Sequence, residues 1–308
     1  MKSFYKLLFL HYILFFNWNL SAQDSSTVLL LGISQDGSYP HMGCEANCCK
    51  PAWKDLKKAH MVVSLAVIDP QNKKWYLFEA TPDISKQIHL FNKLTGNQYP
   101  LMPDGIFITH AHIGHYSGLM QLGREVKNSK EIPVFGLERF CNFIKENGPW
   151  SQLIKLNNIV IQAINPDQKI VLSASLSVTA FTVPHRDEFS ETAGFKITSG
   201  AKTYLFIPDI DKWNLWNRNI VDEVNKVDLA FLDATFYSMD ELKSRNIQEV
   251  PHPTVKETMD LFHAETKASK SKIVFIHMNH TNPLIWSKRY QKEVLNEGFK
   301  IGFQGHRY

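Results

Sequence analysis

Three histidines stand within six residues in Thr109-His110-Ala111-His112-Ile113-Gly114-His115-Tyr116, and imidazole is the commonest side-chain ligand for transition metals. The apolar Ile106-Phe107-Ile108 just before them reads as a strand, so the histidines emerge from a rigid element rather than a drifting loop. On extended backbone His110 and His112, two residues apart, project to the same side and can meet at one ion. His115 opens the following helix and points elsewhere, which suits a second metal position.

Other residues with chemical potential end apolar runs in the same way. His185 closes Thr182-Val183-Pro184-His185, Asp209 closes Phe206-Ile207-Pro208-Asp209, Asp233 closes Phe231-Leu232-Asp233, and His277 closes Ile273-Val274-Phe275-Ile276-His277. The C-terminal ends of strands are where sheet-based enzymes gather their sites. Asp209 could instead cap a helix, and Asp211 is its rival both as cap and as ligand.

The elements that must carry these groups are legible as short runs bounded by Gly, Pro, Asn or Asp. Strands are expected at 28–33, 61–68, 75–78, 106–109, 132–135, 177–183, 193–198, 203–207, 229–232 and 273–277. Helical spacing occurs at 118–126, 137–147, 212–224, 254–263 and 287–296. Near-continuous apolar strands alternating with helices imply an α/β fold, with two stacked mixed sheets and helices on both outer faces. No linker or repeat divides residues 23–308, which are expected to form one domain.

Residues 1–22 read as a secretory signal: Lys2 and Lys6, an apolar stretch over 7–16, then Leu20-Ser21-Ala22. Cleavage there removes two lysines and no acid, so the formal charge of +4 falls by two. The mature protein is expected to be exported, periplasmic or extracellular, without stable membrane insertion. The weak, scattered charge offers no phosphate-tracking stripe and argues against nucleic acid. A small-molecule substrate is the expected partner. Four cysteines in 308 residues are too few for a disulfide scaffold.

The histidine cluster resembles the HxHxDH signature of the metallo-β-lactamase fold, with Gly114 where that family usually has an aspartate. The resemblance implies His185 as third ligand of the first metal, Asp209 as bridging carboxylate, and His115 with His277 as ligands of the second. The loss of a carboxylate at 114 implies a weakened second site, which Gly114→Asp should refill. Gly37-Ser38-Tyr39-Pro40-His41-Met42-Gly43-Cys44 and Ile276-His277-Met278-Asn279-His280-Thr281-Asn282-Pro283 narrow the resemblance. Both stretches resemble the pyrroloquinoline quinone biosynthesis protein B family and the cyclic phosphodiesterases of the phosphonate pathway.

In those relatives an N-terminal cysteine cluster holds a structural zinc, and the corresponding residues here are Cys44, Cys48 and Cys49. A histidine would complete a tetrahedral site; His280 is the favoured fourth ligand, and His41 its local rival. The spacing C-x3-C-C departs from the family's C-x-C-x2-C, and a Cys44–Cys48 or Cys44–Cys49 disulfide is the alternative. Cys141 is expected to be a buried free thiol. The related phosphodiesterases also place a histidine over the metals to protonate the leaving oxygen. His252 is the candidate for that role, with Asp233 orienting it.

The function implied is hydrolysis of a phosphodiester or other ester with one or two catalytic zinc ions, which lower the pKa of a bound water toward about 7. Iron or manganese are alternatives at that site. With iron, an oxygen-using hydroxylase is the competing function, and a non-catalytic metal-binding module the third.

Overall fold

The computed structural model describes residues 28–242 and 251–308. The expected leader lies outside the described residues, as do residues 243–250 of the loop before His252.

The first sheet runs in the order β1 (Val28–Gly32), β2 (Ser64–Asp69), β3 (Lys74–Phe78), β4 (Gly105–Phe107), β5 (Ile132–Gly136) and β6 (Ile159–Ala163). Its first three strands are antiparallel and the rest parallel. The second sheet contains β7 (Lys169–Val171), β8 (Leu176–Val183), β9 (Thr192–Ser199), β10 (Lys202–Ile207), β11 (Leu229–Asp233), β12 (Ile273–Ile276) and β13 (Lys300–Ile301), ordered 13-12-11-10-9-8-7. There β10 to β13 are parallel and β7 to β10 antiparallel.

Strand alternation sorts the side chains. Val28 and Leu30 face the core shared by both sheets, whereas Leu29 and Leu31 face the outer layer. In that outer layer, the helices Ile84–Leu94 and Glu138–Glu146 cover the first sheet through Ile84, Phe91, Phe140 and Ile144. With both faces covered, β1, β2, β4 and β12 are buried along their whole length, hence their predominantly apolar composition. Between the sheets Phe78 and Phe107 stack at 4.9 Å and meet Phe195 edge-on at 5.3 and 5.7 Å. Glu79 follows Phe78 directly and His110 follows Phe107 by three residues, so this aromatic floor underlies the site.

The helix expected over 212–224 is instead a 3-10 turn at Trp213–Leu215 followed by Ile220–Asn225. Its cap is Asn219, which accepts from the backbone N–H of Val221 at 2.8 Å, so neither Asp209 nor Asp211 is spent on capping. Among the described residues no helix is long and apolar enough to cross a membrane.

Candidate metal centre

Strand ends converge here from both sheets. One ligand atom each from His110, His112, His185 and Asp209 lies within 4.8 Å of all the others. The nearest separations are 3.2 Å from His185 Nε2 to His112 Nδ1, 3.2 Å from His185 Nε2 to Asp209 Oδ2, and 3.4 Å from His110 Nε2 to Asp209 Oδ2. Four ligands at zinc–nitrogen and zinc–oxygen bond lengths, placed tetrahedrally, stand about 3.3 Å apart. The donor set therefore fits one tetrahedral ion.

The outer nitrogens are held by partners, so the inner ones are turned toward the cluster. His110 Nδ1 is 2.8 Å from Thr109 Oγ1, His185 Nδ1 is 2.9 Å from Asp211 Oδ1, and His112 Nε2 is 2.8 Å from Glu188 Oε2. Asp211, the rival ligand, thus stands behind the His185 ring, while Asp209 faces the cluster.

A second group brings together Asp36, His115 and His277. His115 Nε2 is 3.3 Å from Asp36 Oδ1 and 3.6 Å from Asp209 Oδ2, so Asp209 borders both groups. His115 and His277 are wholly buried, and Nε2 of each makes no hydrogen bond, nor does Asp36 Oδ1. Buried polar atoms of this kind are costly in a protein unless they serve a ligand. Behind them Glu79 Oε1 faces His115 Nδ1 at 3.4 Å, and Thr235 Oγ1 lies 2.9 Å from His277 Nδ1.

Position 114 differs from the expectation of a missing carboxylate. A Cβ on Gly114 would lie 2.0 Å from Asp36 Oδ1 and 2.6 Å from Asp36 Cα. Glycine is required by this close approach, and Gly114→Asp alone would collide with Asp36 rather than refill a gap.

His252 packs beside these candidate ligands. Its Nδ1 is 2.9 Å from Asp233 Oδ2 and 3.1 Å from Asp209 Oδ1. Asp233 is itself fixed by Thr235, whose hydroxyl donates to it at 2.7 Å, and by the Ile210 N–H at 3.2 Å. Burial opposes charge on all these groups, but their mutual attraction wins. The imidazoles of His185, His252 and His277 hold Asp209 well below the usual carboxylate range. Asp209 and Asp211 lift His185 to about 9, and Asp233 with Asp209 lifts His252 to about 10. Glu79 and Asp36 raise His115 well above the ordinary imidazole value. His110 goes the other way, pushed down by burial and by the neighbouring His115.

The thiols of Cys44, Cys48 and Cys49 form a separate group with His280. Cys44 and Cys48 Sγ are 3.7 Å apart, Cys48 and Cys49 Sγ 3.9 Å, against the ~3.8 Å that tetrahedral zinc–thiolate geometry requires. Adjacent Cys48 and Cys49 therefore both reach the group despite the altered spacing. All four cysteines are free thiols, so neither alternative disulfide is formed, and Cys141 is buried. The rival His41 stacks on the His280 ring at 4.5 Å.

The residues that sequence reasoning missed are Asp36, Glu79, Thr235 and Glu188. Glu79 carried a signal: it ends an apolar strand as Asp209 does. Asp36 carried none, because its relation to Gly114 exists only in the folded chain.

Comparison with known proteins places this geometry in a family. A beta-lactamase superfamily domain matches residues 74–278, more than half the chain, and the protein belongs to that family, with the metallo-β-lactamase fold. The particular relatives are the quinone-cofactor proteins. Coenzyme PQQ synthesis protein B of Gluconobacter oxydans is 27% identical over 305 residues, covering 90% of this chain and 96% of that one. The structure of Zn(2+)-bound PqqB from Methylobacterium extorquens superposes with a TM-score of 0.72 at 21% identity, over 91% of this chain and 99% of that one. A diphosphatase from the PhnP family superposes with a TM-score of 0.63 at 18% identity, over 92% and 96%.

Proposed function

We propose that this protein is an exported metal-dependent hydrolase that opens a phosphodiester or other ester. One observation carries the reading: ligand atoms of His110 and His112 after β4, His185 after β8 and Asp209 after β10 meet within 4.8 Å. A divalent cation held there would supply Lewis acidity and lower the pKa of a coordinated water toward about 7. A diphosphatase is among the proteins that share this fold.

The chain's own residues supply the rest. Asp233 accepts from His252 Nδ1 at 2.9 Å, fixes the ring, and leaves Nε2 to release a proton to the departing oxygen. With its pKa lifted to about 10, His252 carries that proton at neutral pH. A cleft of about 890 Å³, with walls that include Trp213, Trp216 and Arg218, is large enough for a small-molecule substrate. Its walls also include Lys212 and Pro253, which follow Asp211 and His252 in the chain. Cys44, Cys48, Cys49 and His280 would hold a structural zinc.

The test is hydrolysis of phosphodiesters by protein loaded with zinc, manganese or iron, compared with His252→Gln. The variant should lose on the order of a hundredfold or more on alkyl diesters. It should lose little on bis-p-nitrophenyl phosphate, whose leaving group needs no proton. Equal losses on both would remove His252 from the acid role, and no turnover with any ion would sink the hydrolase.

A second reading is favoured by the match to PQQ synthesis protein B along 90% of the chain. In it, iron at the same histidines supports an oxygen-dependent hydroxylation. Iron retained through purification without added metal, with substrate-dependent oxygen uptake, would select it.

A further inference from the structure

We propose that Asp36 supplies the carboxylate of the second catalytic metal position, taking over from residue 114 by reaching into the space a side chain there would fill. The inference rests on the metal-centre reading above and identifies its missing anionic ligand.

Three independent features of the structure support the exchange. Asp36 Oδ1 is 3.3 Å from His115 Nε2, and both belong to the group completed by His277. All three ligand atoms are buried and make no hydrogen bond, His115 Nε2 having only its charge contacts with Asp36 and Asp209 at 3.3 and 3.6 Å. The occupied volume is also the right one, since a Cβ at 114 would fall 2.0 Å from Asp36 Oδ1 and 2.7 Å from Asp36 Cγ. The Asp36 carboxylate thus occupies the space that a side chain at 114 would enter.

Asp36 is also held firmly enough to act as a ligand. The neighbouring Gln35 donates its backbone N–H to Met278 O at 2.9 Å, and its side-chain oxygen accepts from Asn279 Nδ2 at 2.5 Å. Two residues on, Ser38 Oγ donates to Asp83 Oδ2 at 2.7 Å. These contacts tie both flanks of Asp36, one of them directly to the segment that carries His277. A ligand on such a loop is pre-positioned.

The exchange explains why position 114 is glycine without requiring a weak second site. It also makes a reciprocal test possible, because the carboxylate can be delivered from either chain segment but not from both.

Cobalt(II) titration of the full mature chain, with the cysteine site already filled by zinc, reads the two histidine-centred positions by absorption and by metal analysis. The wild-type protein should take up two cobalt ions there. Asp36→Asn, similar in shape, should bind the first as wild type and the second more weakly by on the order of tenfold or more. Should that variant misfold, Asp36→Gly/Gly114→Asp replaces it: the glycine opens the space and the aspartate refills it, so two ions should bind again. An unchanged second affinity in Asp36→Asn, a single ion in the wild type, or a folded double variant that takes one ion would each overturn the inference. A wild-type protein that binds two ions yet hydrolyses nothing would instead refute the function and leave the role of Asp36 intact.

Discussion

His277 and His280, three residues apart, face two different metal groups: His277 joins Asp36 and His115, and His280 joins the three cysteines. His277 has a left-handed backbone with φ of 60°, a conformation that costs a non-glycine residue energy and is retained where it serves a site. The turn that follows β12 thereby sends one imidazole inward and the next toward Cys44. The same segment pairs with the N-terminal loop, since Met278 N–H donates to Ile33 O at 2.8 Å. The cysteine group thus fastens the loop that carries Asp36 to the strand that delivers His277.

Loss of the cysteine site should therefore weaken the fold without emptying the first catalytic position. Cys44→Ser should abolish zinc at that site, and a loss of ~2 kcal/mol would lower the melting temperature by about 4 °C in a chain of this size. Calorimetry beside zinc analysis checks this. An unchanged midpoint would remove the structural role.

Glu79 is wholly buried; Oε1 faces the far side of the His115 ring at 3.4 Å and Oε2 accepts from the Thr109 N–H at 3.4 Å, so the candidate ligand its side chain touches is His115. Glu79→Gln should weaken the second metal position by about 10- to 100-fold while leaving the first alone. Separate dissociation constants from cobalt titration decide the matter. An equal loss at both positions would point to general disruption instead.

Phe107 lies beneath the centre, stacked on Phe78 and Phe135 at 4.9 and 4.5 Å and wholly buried. Phe107→Ala should cost about 3–5 kcal/mol of unfolding free energy, since rigid strands on both sides cannot close the cavity. Denaturant unfolding monitored by circular dichroism measures it. A loss under ~1 kcal/mol would mean that the two sheets repack freely.

Metal uptake should depend on pH. With its pKa lifted to about 9, His185 is protonated at neutral pH before metal binds, and the ion must displace that proton. Asp209, held well below the usual range, is already ionised and adds no opposing dependence near neutrality. Affinity should consequently rise from pH 6.5 to about 9 and then level. Cobalt titrations across that interval test the sign, and a flat or falling profile would contradict it.

Much of this was readable from one-dimensional patterns. Every apolar run expected as a strand, from 28–33 to 273–277, coincides with one, because buried strands need β-branched and aromatic residues on both faces. The strands that escaped notice, β6, β7 and β13, lie at sheet edges where half-exposed residues blur the pattern. The helix Ile84–Leu94 escaped because its buried face includes Gln87 and Asn92 beside Ile84 and Phe91, which breaks the apolar period. The histidines were legible because strands aim them. Asp36 was not, since 78 positions separate it from the glycine whose space it fills, and no local spacing encodes that contact.

The central claim is that His110, His112, His185 and Asp209 bind one cation. Crystals grown from zinc-loaded protein, with diffraction collected on both sides of the zinc absorption edge, test it most directly. The expected result is an anomalous peak at coordination distance from all four residues, besides the one at the cysteines. Density confined to the cysteines, with the four side chains hydrogen-bonded only to one another, would contradict it.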